Sequence, residues 1–145
     1  MAVTDEGNQF AGTDEERRKI EAAVPSEAPA QPGKPRKLLV VTLNVRDGEV
    51  RRGHKAIGYG NLAIELMGRK TGAYETVFCN DKEVFRPENL SQFDAMCFNN
   101  SCGVLFDDED LRQSLLDFIT NGGGFAGIHA AAATFVQYPV YDQFP

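Results

Sequence analysis

Positive charge is in short supply in this chain. Fifteen lysines and arginines stand against twenty-one aspartates and glutamates, a formal net charge of -6 at pH 7. Nucleic-acid binding draws its affinity from a basic surface, so this deficit excludes a phosphate-backbone partner, and the acidic balance serves solubility. Cysteine is scarce and odd in number: Cys79, Cys97 and Cys102 form no even disulfide framework and have no metal-ligand spacing. Two of them lie in apolar, strand-like runs, which predicts reduced buried thiols in a cytoplasmic protein. No window is apolar over the length of a membrane span. The start, Met1-Ala2-Val3-Thr4-Asp5-Glu6, lacks the basic and apolar regions of a secretory leader. No membrane association is expected.

Cofactor and metal signatures are missing as well. Gly122-Gly123-Gly124 precedes an apolar run and does not follow one, so it lacks the strand-to-helix setting of a dinucleotide fingerprint and reads as a helix C-cap leading into a strand. The acidic run Asp107-Asp108-Glu109-Asp110 places negative charge at a helix start, where the macrodipole favours it without any metal. Histidine occurs twice, as His54 and His129, and nothing in the spacing of the two imidazoles and a thiol supports zinc. The expectation is no cofactor and no metal.

What is present points to one α/β domain. With 145 residues and 42% hydrophobic content, the chain can bury a single core. Residues 1–36 read as a disordered tail and linker. A capping box at Thr13 and Glu16 allows a short solvated helix with no apolar face to dock, and the Pro/Ala-rich stretch Val24 to Pro35 cannot offset its ordering entropy. From residue 37 apolar runs and helical patterns alternate. Lys37 to Leu43 is a continuous branched run suited to a central strand, and a polar loop from Asn44 to Gly53 follows. His54 to Arg69 has helical spacing and ends at Thr71-Gly72. Tyr74 to Cys79 and Phe93 to Phe98 are further strands, Arg86 to Leu90 a short helical turn, Leu111 to Asn121 an amphipathic helix, and Gly124 to Ile128 a fourth strand. Right-handed βαβ units built from these give a flavodoxin-like three-layer parallel sheet of order 2-1-3-4.

In that sheet the switch point lies between the first and third strands, where ligands of open α/β folds bind. His54, Asn99 and Asn100 flank it, and His129 closes the same edge after the fourth strand, between small residues that allow a sharp turn like a nucleophile elbow. An imidazole here can act as general acid or base at His129, with His54, Asn99 and Asn100 binding substrate. Plainer roles exist for each: a neutral histidine filling a tight turn at His129, a helix cap at His54, turn formers at Asn99 and Asn100, and a small buried thiol at Cys102.

Phe98-Asn99-Asn100, the loop ending near His54 and above all Gly122-Gly123-Gly124-Phe125-Ala126-Gly127-Ile128-His129-Ala130-Ala131 resemble the trehalose-utilisation (ThuA-like) family, a branch of the class I glutamine-amidotransferase-like fold, over roughly residues 37 to 140. The resemblance implies carbohydrate metabolism acting on trehalose or a related sugar, with a small-molecule carbohydrate as ligand. It implies no glutaminase activity, since the histidine replaces the amidotransferase cysteine. The chain departs from the family in Arg52-Gly53-His54, where Phe-Arg-His is common, and in Ala132-Ala133, where Thr-Asp is common. Family domains also continue through further strands, so residues 37–145 read as the N-terminal part of such a domain. Three functions follow: an enzyme acting on a carbohydrate, a non-catalytic sugar-binding module, or a truncated domain without independent activity. In the last case a second copy or a partner chain is expected to cover the exposed sheet edge.

Overall fold

The computed structural model describes residues 10–136. Its strands are β1 (Lys37–Val41), β2 (Val45–Arg46), β3 (Glu49–Val50), β4 (Glu75–Phe78), β5 (Ala95–Asn99) and β6 (Gly124–Ile128). The helices are α1 (Asp14–Ala23), α2 (Ile57–Thr71), α3 (Pro87–Leu90) and α4 (Glu109–Thr120), with 3-10 turns at Lys82–Phe85 and His129–Ala133. Four strands form one parallel sheet in the order β4-β1-β5-β6, the expected flavodoxin-like arrangement.

Alternation along the strands divides the core between two faces. Leu39, Val41, Met96 and Phe98 point to one side and pack with Phe85, Phe93, Leu111 and Leu115, under α4 and the Lys82–Leu90 region. Val40 and Cys97 point to the other and meet Ile64 of α2, with Tyr74 and Phe78 alongside. Both faces of β1 are covered, as its unbroken run of branched residues requires. Among the described residues β6 is an edge strand. Phe125 packs into the first cluster, whereas Gly124, Ala126, Gly127 and Ile128 are exposed.

All three cysteines are free thiols, Cys79 and Cys97 buried and Cys102 half-buried. Burial disfavours the thiolate and raises the Cys79 thiol, and it pushes the Cys97 thiol up to about 11. Neither is a nucleophile at neutral pH. Asp108 caps α4, accepting from the Asp110 and Leu111 amides at 3.0 and 3.3 Å. The acidic run therefore has a local mechanical use.

Two segments differ from expectation. Asn44 to Gly53 is not simply a loop: Val45 and Arg46 pair with Val50 and Glu49 in an antiparallel hairpin. Its Asp47-Gly48 turn holds both residues at positive φ, 54° and 75°. An Asp-Gly pair is a strong signal for this turn type, but with only two residues per strand no apolar alternation announces the hairpin. The second segment is α1, which carries the anticipated capping box at Thr13 and Glu16 and buries none of its own residues. It still lies against α2. Lys70 Nζ donates to the Glu21 and Val24 carbonyls at 2.8 and 3.3 Å, and Phe10 meets Tyr59 edge to face at 5.0 Å. These contacts run through backbone carbonyls at the end of α1 and through Phe10 before it, which the side-chain pattern of α1 cannot reveal.

The amino end of the sheet is pinned by Asp94. Its carboxylate accepts from Arg36 Nη1 at 2.7 Å and from the Lys37 amide at 3.0 Å, and Lys34 Nζ lies 3.1 Å away. These donors, Arg36 foremost, hold the carboxyl well below the usual carboxylate range. A depressed folded value binds its proton less readily than the unfolded chain does. The stabilisation is therefore full above about pH 4 and is lost as pH falls below it. Asp94→Asn is expected to lower the melting temperature at neutral pH, and the gap to the parent chain is expected to narrow progressively below about pH 4, closing only in strong acid, where the folded carboxyl itself protonates. A constant gap across a pH series of thermal melts would contradict this account.

Candidate functional site

Three chain segments leave the carboxyl edge of the sheet side by side. After β1, Asn44 opens the hairpin, and Arg51-Arg52-Gly53-His54 lead into α2. The Asn44 side chain ties this segment down, its Nδ2 donating to the Thr42 carbonyl at 2.9 Å and to the Asn100 carbonyl at 3.0 Å. After β5, Asn100 turns with φ 58°. Its backbone amide donates to the Ile128 carbonyl at 3.1 Å, which joins the β5 loop to the end of β6. Farther along that loop, Ser101 Oγ donates to the Val41 carbonyl at 2.9 Å and Thr134 Oγ1 donates to the Ser101 carbonyl at 3.1 Å.

His129 follows β6 directly, in left-handed backbone with φ 51°. Left-handed backbone costs a residue with a Cβ roughly 1–2 kcal/mol. The turn is thus sharp in the manner of an elbow, with an imidazole at its tip. Both histidines are exposed, and packing brings them together: the rings of His54 and His129 meet edge to face with centroids 5.2 Å apart and planes at 88°. His54 Nδ1 accepts from the Ala56 amide at 3.0 Å. An amide can only donate, so the neutral ring carries its proton on Nε2 and offers it outward.

The two asparagines behave differently from the histidines. Asn99 is 1% exposed and Asn100 3%. Asn99 Nδ2 donates to the Ile57 carbonyl at 3.1 Å and to Asn61 Oδ1 at 2.8 Å. Because a carbonyl can only accept, this contact fixes the orientation of the amide, and Asn99 Oδ1 receives Asn100 Nδ2 at 2.8 Å. That leaves Asn100 Oδ1 buried with no partner among the described residues. A buried acceptor without a donor is costly and uncommon in folded proteins. Asn61 was not anticipated as part of this cluster; lying within α2, it has no neighbouring motif to single it out.

Beside the hairpin a cavity of about 390 Å³ is lined by Asn44, Val45, Arg46, Arg51, Arg52 and Cys102. No motif in the sequence marks these arginines as a group, because only the hairpin brings Arg46 beside Arg51 and Arg52. Among the described residues no group of three or more His, Cys, Asp or Glu is placed to hold a metal ion. No described helix is long and apolar enough to cross a membrane.

Residues 40–144 match the family described as ThuA, trehalose utilisation. The chain belongs to this trehalose-utilisation family. The match takes in the carboxyl end of β1, the hairpin, both histidines and the β5 loop, so the whole carboxyl edge lies within the ThuA region. A crystal structure of a ThuA-like protein from Bacteroides uniformis is similar at 19% identity and a TM-score of 0.48, covering 72% of this chain and 41% of that one. The chain therefore spans less than half the length of that ThuA-like protein. Among curated proteins there is no significant match.

Proposed function

We propose that residues 37–145 form a ThuA-like domain, with residues 1–36 as its tail and linker, and that the carboxyl edge of the sheet binds a carbohydrate, trehalose or a related sugar. His129 serves as general acid or base there. His54 donates from Nε2 to a sugar hydroxyl, and Asn99 and Asn100, both buried, support the binding edge by bracing the β5 loop against α2. The observation that carries the reading is the exposed His129 ring, held at φ 51° on the strand end and set against the His54 ring. Strained backbone of this kind persists where the surrounding fold over-determines it, and such sites cluster where ligands bind. An imidazole at the elbow also leaves no thiol there for glutamine hydrolysis, so no glutaminase activity is expected. The free, largely buried thiols fit a cytoplasmic protein.

His129→Gly tests the assignment because glycine accepts the backbone that histidine resists. The variant is expected to be more stable by about 1 kcal/mol, while turnover of a keto-sugar or disaccharide falls to background. Turnover equal to that of an active parent would refute a catalytic His129. A second reading, a sugar-binding module without catalysis, is favoured by one feature: among the described residues neither imidazole is hydrogen-bonded to a carboxylate that would orient it. Calorimetric binding of sugar that His129→Gly weakens, with no turnover in the parent chain, distinguishes this second reading.

A further inference from the structure

The cavity beside the hairpin is the least expected feature of an acidic chain. Three of its six lining residues are arginines, Arg46, Arg51 and Arg52. Arg51 Nη2 is bound to Glu49 at 2.6 Å. Among the described residues Arg46 and Arg52 have no ion pair, and both are exposed. The remaining lining adds amide, aliphatic and thiol groups but no carboxylate. Cations gathered around one concavity repel each other unless an anion joins them, and the planar guanidinium suits two-pronged binding of phosphate or carboxylate.

The walls are held in place. The Val45 amide donates to the Cys102 carbonyl at 2.9 Å and the Cys102 amide to the Leu43 carbonyl at 3.2 Å. The Arg51 amide donates to the Asn44 carbonyl at 2.9 Å, closing the base of the hairpin. The cavity is linked to the imidazole pair through the chain. Arg52 is two residues before His54, and the intervening Gly53 lies so close to the Asn44 amide that a Cβ added there would stand 2.5 Å from Asn44 Nδ2. Asn44 in turn binds the Asn100 carbonyl. One continuous edge thus carries a cationic cavity and a pair of imidazoles.

We propose that this arginine cavity is an anion site and that it takes the charged group of the carbohydrate, a phosphate ester or a sugar carboxylate, while the neutral part of the same molecule reaches His54 and His129. The proposal rests on the carbohydrate reading of the edge given above and narrows its ligand class. Neutral disaccharides are then incomplete ligands.

Calorimetric titration of the full chain with trehalose, a hexose 6-phosphate, a hexuronate and inorganic phosphate tests the proposal, in the parent and in the double variant Arg46→Gln, Arg52→Gln. Both side chains are exposed, so the variant is expected to melt with the parent. The expected result is charged sugar binding at least about tenfold tighter than trehalose at low salt, an advantage that the double variant loses and that inorganic phosphate competes away. Preference for the hexose phosphate or for the hexuronate identifies the anion. Equal affinities of parent and double variant for every charged ligand would overturn the anion site and leave the carbohydrate reading intact. Arginine-dependent binding of inorganic phosphate with no sugar bound would do the reverse: the cavity stands as an anion site and the carbohydrate reading falls.

Discussion

Alanine in place of Gly103 is expected to destabilise the fold by about 3 kcal/mol. Gly103 has φ 86°, a conformation that an L side chain resists, and a Cβ built there would collide with the Val45 carbonyl oxygen. Neither partner can retreat. The Val45 amide is bonded to the Cys102 carbonyl, while the Gly103 amide donates to the Ala133 carbonyl at 3.1 Å and its carbonyl accepts from the Phe135 amide at 3.0 Å. Gly103 is therefore the link between the arginine hairpin on one side and the turn after His129 on the other. Chemical denaturation should show the loss. A cost below about 1 kcal/mol would mean that the hairpin moves freely against the sheet.

Phe98→Ala is expected to cost about 3–5 kcal/mol, enough to unfold a marginally stable domain. Phe98 is 0% exposed. Its ring meets Phe125 at 5.1 Å and Phe85 at 6.1 Å, both edge to face, so it joins the edge strand β6 to the helical layer through the centre of the sheet. Removing it leaves a cavity that paired strands on either side, Val41 in β1 and Gly127 in β6, cannot collapse to fill. Phe125→Ala should cost distinctly less, because that ring is only half-buried on an edge strand. Denaturant midpoints that rank the two variants in the opposite order would contradict this distribution of packing. Soluble but unfolded Phe98→Ala would agree with it.

The strand order and the elbow are both legible from residue order, for different reasons. Lys37 to Val41, Ala95 to Asn99 and Gly124 to Ile128 are short apolar runs separated by helical patterns, and short right-handed crossovers leave few ways to arrange them. His129 is marked by the small residues around it, which only a tight turn requires. The Asn44 to Gly53 segment is harder to read, because two-residue strands carry no period and a single apolar pair, Val45 and Val50, flanks the Asp-Gly turn. Asn99 shows another limit. Its place after a strand suggests a ligand-facing amide, but whether an amide faces ligand or neighbour depends on what packs against it. Here Ile57 and Asn61 of α2 take up its amide nitrogen and Asn100 its amide oxygen.

Residue order alone establishes an acidic α/β chain with a parallel sheet, reduced thiols, a histidine at the end of the last strand and membership of the ThuA family. Local pattern and chain connectivity suffice for those. Packing was needed to set the His54 ring against the His129 ring, to orphan Asn100 Oδ1 and to gather Arg46, Arg51 and Arg52 around one cavity. Those are relations between side chains on different segments. They depend on register, turn conformation and the positive backbone angles at Asn100, Gly103 and His129, which no local periodicity encodes.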